Sequence, residues 1–324
     1  MMKPVLLKLA LGLASLCATG WLAQAAPLQR ADVIATPAWL LHLDCDRLRT
    51  TAVGQYILTE MDKPEAKAKL AAFQGIFDFD LRTQLHGVTL YGSSPAPDDG
   101  VLMVYADVNA DRLLLLARAA KEYHSHPYHQ HVIHSWLDDK KPAKNGLKPR
   151  VFAALQGHRV IFAQREDRLA AALDVLDGAT PNLAAGRLFP SLGLPGTPNV
   201  VEAAAGKLNL PDGDPNAALM KLAQSVQLQV GEQQQQCLGT LTLLTDNADV
   251  ATHVVAIAQG LLALAKLQIS KPESVQLANA VTLQQDGASV VGHLALPAAD
   301  LVKIIQADAA RKAAAAAAAP AANP

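Results

Sequence analysis

Short runs of alternating apolar and polar residues recur along this chain, and each is followed by a turn signal or an amphipathic stretch. Alternation with a period of two predicts half-buried β-strands, whereas apolar spacings of three and four predict helices. Three such segments of the first half have counterparts in the second half. The pairs are "TPAWLLHLDCDRL" and "TPNVVEAAAGKLNL", "DGVLMVYADVNADRLLLLARAAKEY" and "LGTLTLLTDNADVATHVVAIAQGLLAL", and "RVFAALQGHRVIFAQREDRLAAALDVL" and "AVTLQQDGASVVGHLALPAADLVKII".

The turn and cap residues predict where these elements begin and end. Gly157 and the Asp286-Gly287 pair stand where alternating runs must reverse, which indicates hairpins. Asp167 and Pro297 are typical of helix N-termini and precede apolar spacings of three and four. We therefore expect an α+β fold made of two similar domains, each an antiparallel sheet with helices packed on one face.

Changes in composition predict the domain boundaries. The first domain would span residues 26–183 and the second residues 199–309, with a Pro- and Gly-rich linker at 184–198. Residues 310–324 are Ala-rich; they could extend the last helix, but Pro320 and the polar end favour a disordered tail.

The beginning of the chain has the features of a secretory signal peptide. Lys3 precedes a short apolar run that ends at Ala23-Gln24-Ala25, a small-x-small cleavage site, so we expect residues 1–25 to be removed. An uncleaved membrane anchor is the alternative. The apolar segment "VVAIAQGLLALAKL" from Val254 is broken by Gln259 and Lys266 and is expected to be a buried helix, so no membrane span is predicted after cleavage. These features predict a periplasmic or secreted protein.

Bulk composition narrows the function classes further. Hydrophobic residues make up 51% of the chain, enough for a large core, and the formal net charge of −1 provides no general attraction to nucleic acid.

The mature chain would keep two cysteines, Cys45 and Cys237. In an oxidising compartment these two could form a disulfide, or they could be two small buried residues.

One segment carries a resemblance to known proteins. The run "FDFDLRTQLHGVTLYG" from Phe77, followed by "DGVLMVYADVNADRL", resembles a family of uncharacterised secreted bacterial proteins. That family has no assigned activity, so the resemblance implies export but brings no catalytic residue with it.

Sequence motifs for catalysis are missing. There is no Gly-x-Ser-x-Gly elbow, no phosphate-binding loop, no dinucleotide-binding Gly motif and no Cys-x-x-Cys pair. Two pairs of acids could share a proton or a cation, Asp44 with Asp46 and Asp78 with Asp80, but both stand at element ends, where capping explains them. We therefore expect no catalytic residue and no enzymatic activity.

The stretch "EYHSHPYHQHVIHSW" from Glu122 concentrates half of the histidines of the chain. Its second part, "YHQHVIHSW" from Tyr128, is predicted to be a strand with His129 and His131 on one face and His134 on the other, and His126, just before the strand, could bend in as a third ligand. His126, His129 and His131 are thus a candidate site for zinc, copper or nickel. The alternatives are imidazoles that meet solvent or satisfy local hydrogen bonds, and a pH-sensing role.

Together, these observations favour an exported, non-catalytic binding or interaction protein of the bacterial periplasm. Its partner would be an envelope protein or a small ligand, not nucleic acid, and no cofactor is expected. The alternative is a periplasmic metal-binding protein or metalloenzyme that uses the cluster from His124 to His134.

Overall fold

The computed structural model describes residues 27–142, 148–207, 222–267 and 272–318. The predicted signal peptide therefore lies outside the described residues, as does the end of the predicted tail, residues 319–324. The strands are β1 (Trp39–Asp44), β2 (Leu85–Gly92), β3 (Gly100–Ala106), β4 (His124–Tyr128), β5 (His131–Leu137), β6 (Arg150–Gln156), β7 (Arg159–Ala163), β8 (Asn199–Ala205), β9 (Ala223–Gln233), β10 (Gln236–Thr245), β11 (Val281–Asp286) and β12 (Ser289–Pro297). The α-helices of the described residues are α1 (Cys45–Thr50), α2 (Ala52–Met61), α3 (Pro64–Phe77), α4 (Ala110–Arg118), α5 (Glu166–Leu176), α6 (Ala248–Lys266), α7 (Pro272–Asn279) and α8 (Ala298–Ala318).

The α+β class is confirmed, but the two separate sheets that the sequence predicts are one sheet. The 12 strands of the described residues form a single antiparallel sheet in the order β11-β12-β10-β9-β8-β1-β2-β3-β7-β6-β5-β4. The two halves of the chain meet where β1 pairs with β8, from Trp39 opposite Ala205 to Leu43 opposite Val201. Both strands are mostly apolar, and their pairing removes two edges that would otherwise be exposed to other chains.

The predicted hairpins are confirmed. Gly157 joins β6 to β7 with a φ of 57°, and Gly287 joins β11 to β12 with a φ of 55°. Glycine adopts this left-handed conformation without the strain that a Cβ atom would cause. The helices after these hairpins, α5 and α8, begin within one residue of the predicted Asp167 and Pro297.

One face of the sheet, here called the closed face, carries the main hydrophobic core. Leu40, Tyr91, Met103 and Ile161 lie on this face and are buried. The covering elements are α5, two 3₁₀ turns at Arg30–Asp32 and Leu183–Ala185, and the segment between that second turn and β8.

The segment predicted as a linker is thus part of this core. Phe189 and Leu192 are buried in it. The Arg30 guanidinium donates hydrogen bonds to the carbonyls of both, at 2.6 and 3.1 Å. These bonds tie the segment to the start of the described chain and satisfy backbone carbonyls within the buried loop.

The opposite face, here called the open face, is less completely covered. Leu41, Leu90 and Leu102 are register partners across β1, β2 and β3, so they share this face. Leu41 remains 41% exposed near the centre of the sheet. The open face carries α4 over the first half and α6 over the second, so the expectation of helices on one face of each sheet is wrong for the first half, where α5 covers the closed face.

Helix α6 differs from the prediction of a buried helix. Ala251 and Val254 in its first turns are buried against Leu243 and Val290, but Leu264 is 61% exposed. The fully buried residues of the helix thus lie only at its start, which the apolar pattern alone does not reveal. Among the described residues, α6 is the one helix long and apolar enough to cross a membrane by length and composition.

Two further predictions can be compared with the structure. Helix α8 continues to Ala318, so much of the predicted tail is helical, as the high helix propensity of alanine favours.

Cys45 and Cys237 are both free and buried, which agrees with the second of the two alternatives, two small buried residues. Burial raises the pKa of the Cys45 thiol to about 11.

Candidate apolar ligand site

Helix α4 covers one end of the open face without packing tightly on it. Its N-terminus is capped by Asn109, whose side-chain oxygen accepts a hydrogen bond of 3.1 Å from the backbone N–H of Arg112. The helix contains four consecutive leucines, yet none of its residues is fully buried. Apolar side chains in a normal core are close-packed, so this half-burial indicates space beneath the helix.

A cavity of about 330 Å³ occupies that space. Its walls come from the end of α3, from α4 and the residues that follow it, and from β5, β6 and β7, mainly through their open face; they are Phe77, Leu113, Leu114, Leu116, Ala117, Ala120, His134, Trp136, Ala153, Ala154, Leu155, Val160 and Phe162. Small-molecule sites in proteins are concave, mostly apolar and about 300–1,000 Å³ in volume, so this cavity lies at the small end of the range.

Alanines create the cavity. Ala153 is opposite both His134 and Phe162 in the register of the sheet, so it forms the floor between two large side chains. Ala117 and Ala120 line the roof on the same helical face as Leu113 and Leu116. The spacing of the residues in α4 predicts an amphipathic helix. The gap that the alanines leave depends on which residues of the helix and the sheet face each other, and the sequence does not show this.

His134 is the one residue with a titratable side chain among those that line the cavity. Its Nδ1 lies 2.8 Å from the hydroxyl of Tyr123, and the two rings are stacked with centroids 6.0 Å apart. Burial lowers the pKa of His134, and the charge of Arg118 lowers it further. The ring is therefore neutral at neutral pH.

The histidine stretch is a hairpin, not the single strand that we predicted. His129 and Gln130 form the turn between β4 and β5, and His129 adopts a left-handed conformation with a φ of 50°. His129 therefore does not share a strand face with His131. His131 and His134 do lie on opposite faces of the sheet, as predicted, because they are three residues apart in β5.

The candidate metal ligands are directed to three different carboxylates. His126 Nε2 is 3.0 Å from Glu166, His129 Nε2 is 3.7 Å from Asp174, and His131 Nε2 is 2.9 Å from Asp177. All three carboxylates belong to α5 or its C-cap. His124 is exposed on the edge strand. Within the described ranges, no three His, Cys, Asp or Glu side chains are grouped to hold a metal ion.

A second polar cluster, which the sequence analysis missed, lies at the other end of α4. His86 bridges two carboxylates, with Nδ1 3.1 Å from Asp46 and Nε2 2.9 Å from Asp107. His158 lies 3.1 Å from the same Asp107. Burial lowers the pKa of His86, but the hydrogen bonds to Asp107 and Asp46 outweigh it, so the pKa is raised above its ordinary value. No sequence spacing relates these residues, because they come from four separate segments.

One acid of each pair, Asp44 and Asp80, caps a backbone N–H as predicted, whereas Asp46 and Asp78 bind side chains. Asp44 accepts a hydrogen bond of 2.8 Å from the backbone N–H of Arg47 at the start of α1. Asp80 accepts one of 2.9 Å from the backbone N–H of Arg82 in the turn before β2. Asp78 accepts a hydrogen bond of 2.8 Å from the Asn109 amide, which ties the end of α3 to the start of α4.

Comparisons with known proteins give no family for this chain. No family model and no curated protein matches it. An alignment with crystal form III of TP0453 covers 88% of this chain and 99% of that one, with a TM-score of 0.48 and 12% identity. Crystal form I of TP0453 aligns over 89% and 99%, with a TM-score of 0.45 and 13% identity. Likeness at this level says nothing about what the chain binds.

Proposed function

We propose that this chain is an exported, non-catalytic binding protein that holds a small apolar ligand beneath α4. The observation that carries the proposal is the cavity of about 330 Å³ with apolar walls, roofed by a leucine-rich helix that has no fully buried residue. Filling the cavity would remove apolar surface of α4 and of the sheet from water. Each Å² of apolar surface so buried contributes about 25 cal/mol to binding.

The chemistry of the cavity supports binding without a reaction. His134 is its one titratable side chain, and its Nδ1 is occupied by Tyr123. Acid–base or nucleophilic catalysis would need a second positioned group within hydrogen-bond reach of the first. The walls of this cavity provide none.

Export rests on the sequence of the first 25 residues, with the charged start and the Ala-Gln-Ala site. Mass spectrometry of the protein from the cell envelope should find an N-terminus at or near Ala26. Intact Met1 in a soluble cytosolic form would contradict export. An envelope protein that accepts the ligand or delivers it is the partner that this role requires.

We infer, in addition, that the two halves of the sheet derive from one repeated unit. From the central pair outward, the strand order is β1-β2-β3-β7-β6 in the first half and β8-β9-β10-β12-β11 in the second. A helix on the open face follows the third strand of each half. The final helices differ, because α5 covers the closed face, whereas Leu301 of α8 lies beside Cys237 on the open face. Superposing the ten strands about the axis between β1 and β8 tests the inference, and unmatched Cα traces would reject it.

Ligand binding can be tested with N-phenyl-1-naphthylamine, an uncharged apolar fluorophore. The protein should enhance its fluorescence saturably at a stoichiometry of one. Ala117→Phe places a ring in the cavity and should abolish the enhancement, because Ala117 lines it. Ala119→Phe is the matched control, since Ala119 is exposed near the end of the same helix and does not line the cavity.

Two results would reject the proposed function. One is a wild-type protein that does not bind the probe. The other is equal loss of binding in Ala117→Phe and Ala119→Phe, which would place the probe elsewhere. Circular dichroism of each variant establishes that it is folded, and Ala153→Leu, which fills the floor instead of the roof, provides a second blocking variant.

A further inference from the structure

The cavity is apolar along most of its length but has polar and cationic groups at one end. Phe77, Leu113 and Val160 form one end, near the start of α4. His134 and Ala120 are at the other, where Arg118 and Lys121 follow in the last turn of the helix and just beyond it. A ligand that matches this arrangement has an apolar chain and one polar head.

We propose, building on the function proposed above, that the ligand is a single-chain amphiphile with a carboxylate head. Its chain would lie beneath α4, and its head would be bound by the His134 ring and the cations at the end of the helix. The volume of about 330 Å³ fits one short or medium chain. It is too small for a lipid with two long chains.

The hydrogen bond of His134 determines which atom the ring offers to a ligand. Its Nδ1 is 2.8 Å from the Tyr123 hydroxyl, and a phenol donates readily to a neutral imidazole nitrogen. In that tautomer Nε2 carries the proton. No described residue forms a hydrogen bond with Nε2. The ring therefore offers an N–H donor at the wall of the cavity, and an acceptor in the ligand can take this hydrogen bond in place of water.

The surrounding charge selects an anionic acceptor. Across the described parts of the chain, neither Arg118 nor Lys121 forms an ion pair. The nearby acids already have partners: Glu122 is 3.5 Å from Arg150, and Asp139 is 2.8 Å from Lys148. Lys121 also acts on Asp139, whose pKa its charge helps to lower, so Arg118 is the main cation left for a ligand. A cation beside a neutral donor is complementary to a carboxylate, which an Arg side chain binds with particularly favourable geometry.

Competition between decanoate and decanol tests the head group, because the two have the same chain length. Displacement of N-phenyl-1-naphthylamine at pH 7.5 should need a roughly tenfold lower concentration of decanoate, since charge-assisted hydrogen bonds are about twice as strong as neutral ones. His134→Phe keeps an aromatic ring in the wall but removes the donor. It should weaken decanoate about tenfold, equivalent to about 1.4 kcal/mol, and weaken decanol by less, because a neutral hydroxyl accepts a weaker hydrogen bond than a carboxylate.

Arg118→Gln should weaken decanoate in the same direction. Lys312→Gln is its matched control, because it removes one positive charge from an exposed site on α8. Equal displacement by decanoate and decanol, with no effect of His134→Phe, would overturn the carboxylate assignment. If Ala117→Phe still abolishes probe binding in that case, the proposal of an apolar site beneath α4 remains supported. The two proposals can therefore fail independently.

Discussion

At the scale of single residues, the bridge that His86 makes between Asp46 and Asp107 has a direct effect on stability. The imidazole side chain is 19% exposed, and its two nitrogens face one carboxylate each. A neutral ring can donate from one nitrogen only, whereas the protonated ring donates to both. The protonated form is therefore the one that fits the folded protein, in agreement with the raised pKa.

This bridge predicts a loss of stability as the pH rises. Because the folded-state pKa of His86 lies above its ordinary value of 6.5, the stabilisation is fully present below pH 6.5 and disappears as the pH rises through the folded-state value. His86→Gln should lower the free energy of unfolding by about 1 kcal/mol at pH 6 and by less at pH 8.5. Urea denaturation of the wild type and the variant at pH 6 and at pH 8.5 measures the difference in the free energy of unfolding.

The control for this prediction is His293→Gln. His293 is exposed on β12, and its Nδ1 lies 3.4 Å from the hydroxyl of Thr240. This variant should change stability little at either pH. If His86→Gln lowers the free energy of unfolding equally at both pH values, the ring stabilises the fold by packing and not by its charge.

At the scale of elements, two glycines are expected to respond oppositely to alanine. A Cβ atom on Gly231 would lie 2.0 Å from the carbonyl oxygen of Pro198, where β8 begins to pair with β9 through an irregular register. Gly260 lies within α6, and a Cβ atom there would have no neighbour within 4 Å. Gly231→Ala should therefore destabilise the protein by about 2 kcal/mol or more, while Gly260→Ala should stabilise it by about 0.5–1 kcal/mol.

Urea midpoints of the two variants provide the measurement. Stabilisation by Gly231→Ala would mean that β8 and β9 are not packed as closely as described. Loss of stability in Gly260→Ala would mean that an unseen surface covers that side of α6.

The β4–β5 hairpin is held against α5 by side chains at its turn. His131 donates a hydrogen bond of 2.9 Å to Asp177, Gln130 donates one of 2.9 Å to the same carboxylate, and the Tyr128 hydroxyl donates one of 3.0 Å to Asp174. The hydrogen bond from His131 holds the pKa of Asp177 below its usual range, which indicates an ionised acceptor. Docking of the hairpin therefore depends on α5 as well as on the sheet.

Asp177→Asn should loosen this hairpin without unfolding the sheet. We expect faster amide hydrogen exchange in β4 and at the turn, because local opening costs less once the docking contacts are weakened. Exchange in β11, at the far edge, should be unchanged. Asp167→Asn, at the other end of α5, is the control, and equal acceleration in both variants would contradict the docking role of Asp177.

These elements also show what the sequence can and cannot predict. The hairpins at Gly157 and Gly287 are predictable because glycine at a reversal has a physical cause. The hairpin at His129 is not, since a histidine in the left-handed conformation breaks the usual turn chemistry. The cavity and the His86 bridge depend on contacts between distant segments, and the pairing of β1 with β8 depends on a register that apolar patterns do not specify.

At the scale of the whole molecule, aromatic residues are distributed unequally. No Phe, Trp or Tyr occurs after Phe189. Among the described residues, the main core cluster contains 17 buried side chains and the cluster beneath α6 contains 6, namely Ala223, Val226, Leu243, Ala251, Val254 and Val290. Aromatic side chains bury the largest apolar areas, so the second half is held together by less hydrophobic free energy.

The second half should therefore open first. We expect amide hydrogen exchange in β10 and β12 to be faster than in β3 and β7, although all four strands are paired on both sides. Exchange monitored by mass spectrometry on peptides from each strand measures this difference. Uniform protection across the sheet would indicate that it opens only as one cooperative unit.

The pairing of β1 with β8 has a consequence for the order in which the chain is made. A ribosome completes β1 first, and β8 follows only after at least α1–α5 and β2–β7, the helices and strands described between them. During this interval one side of β1 has no strand beside it, and unpaired strand edges attract other chains. A chain that stops at Pro198 should therefore form dimers through β1, visible by light scattering. A synthetic peptide with the β8 sequence, "NVVEAAA", should return this truncated chain to the monomer by supplying the missing strand.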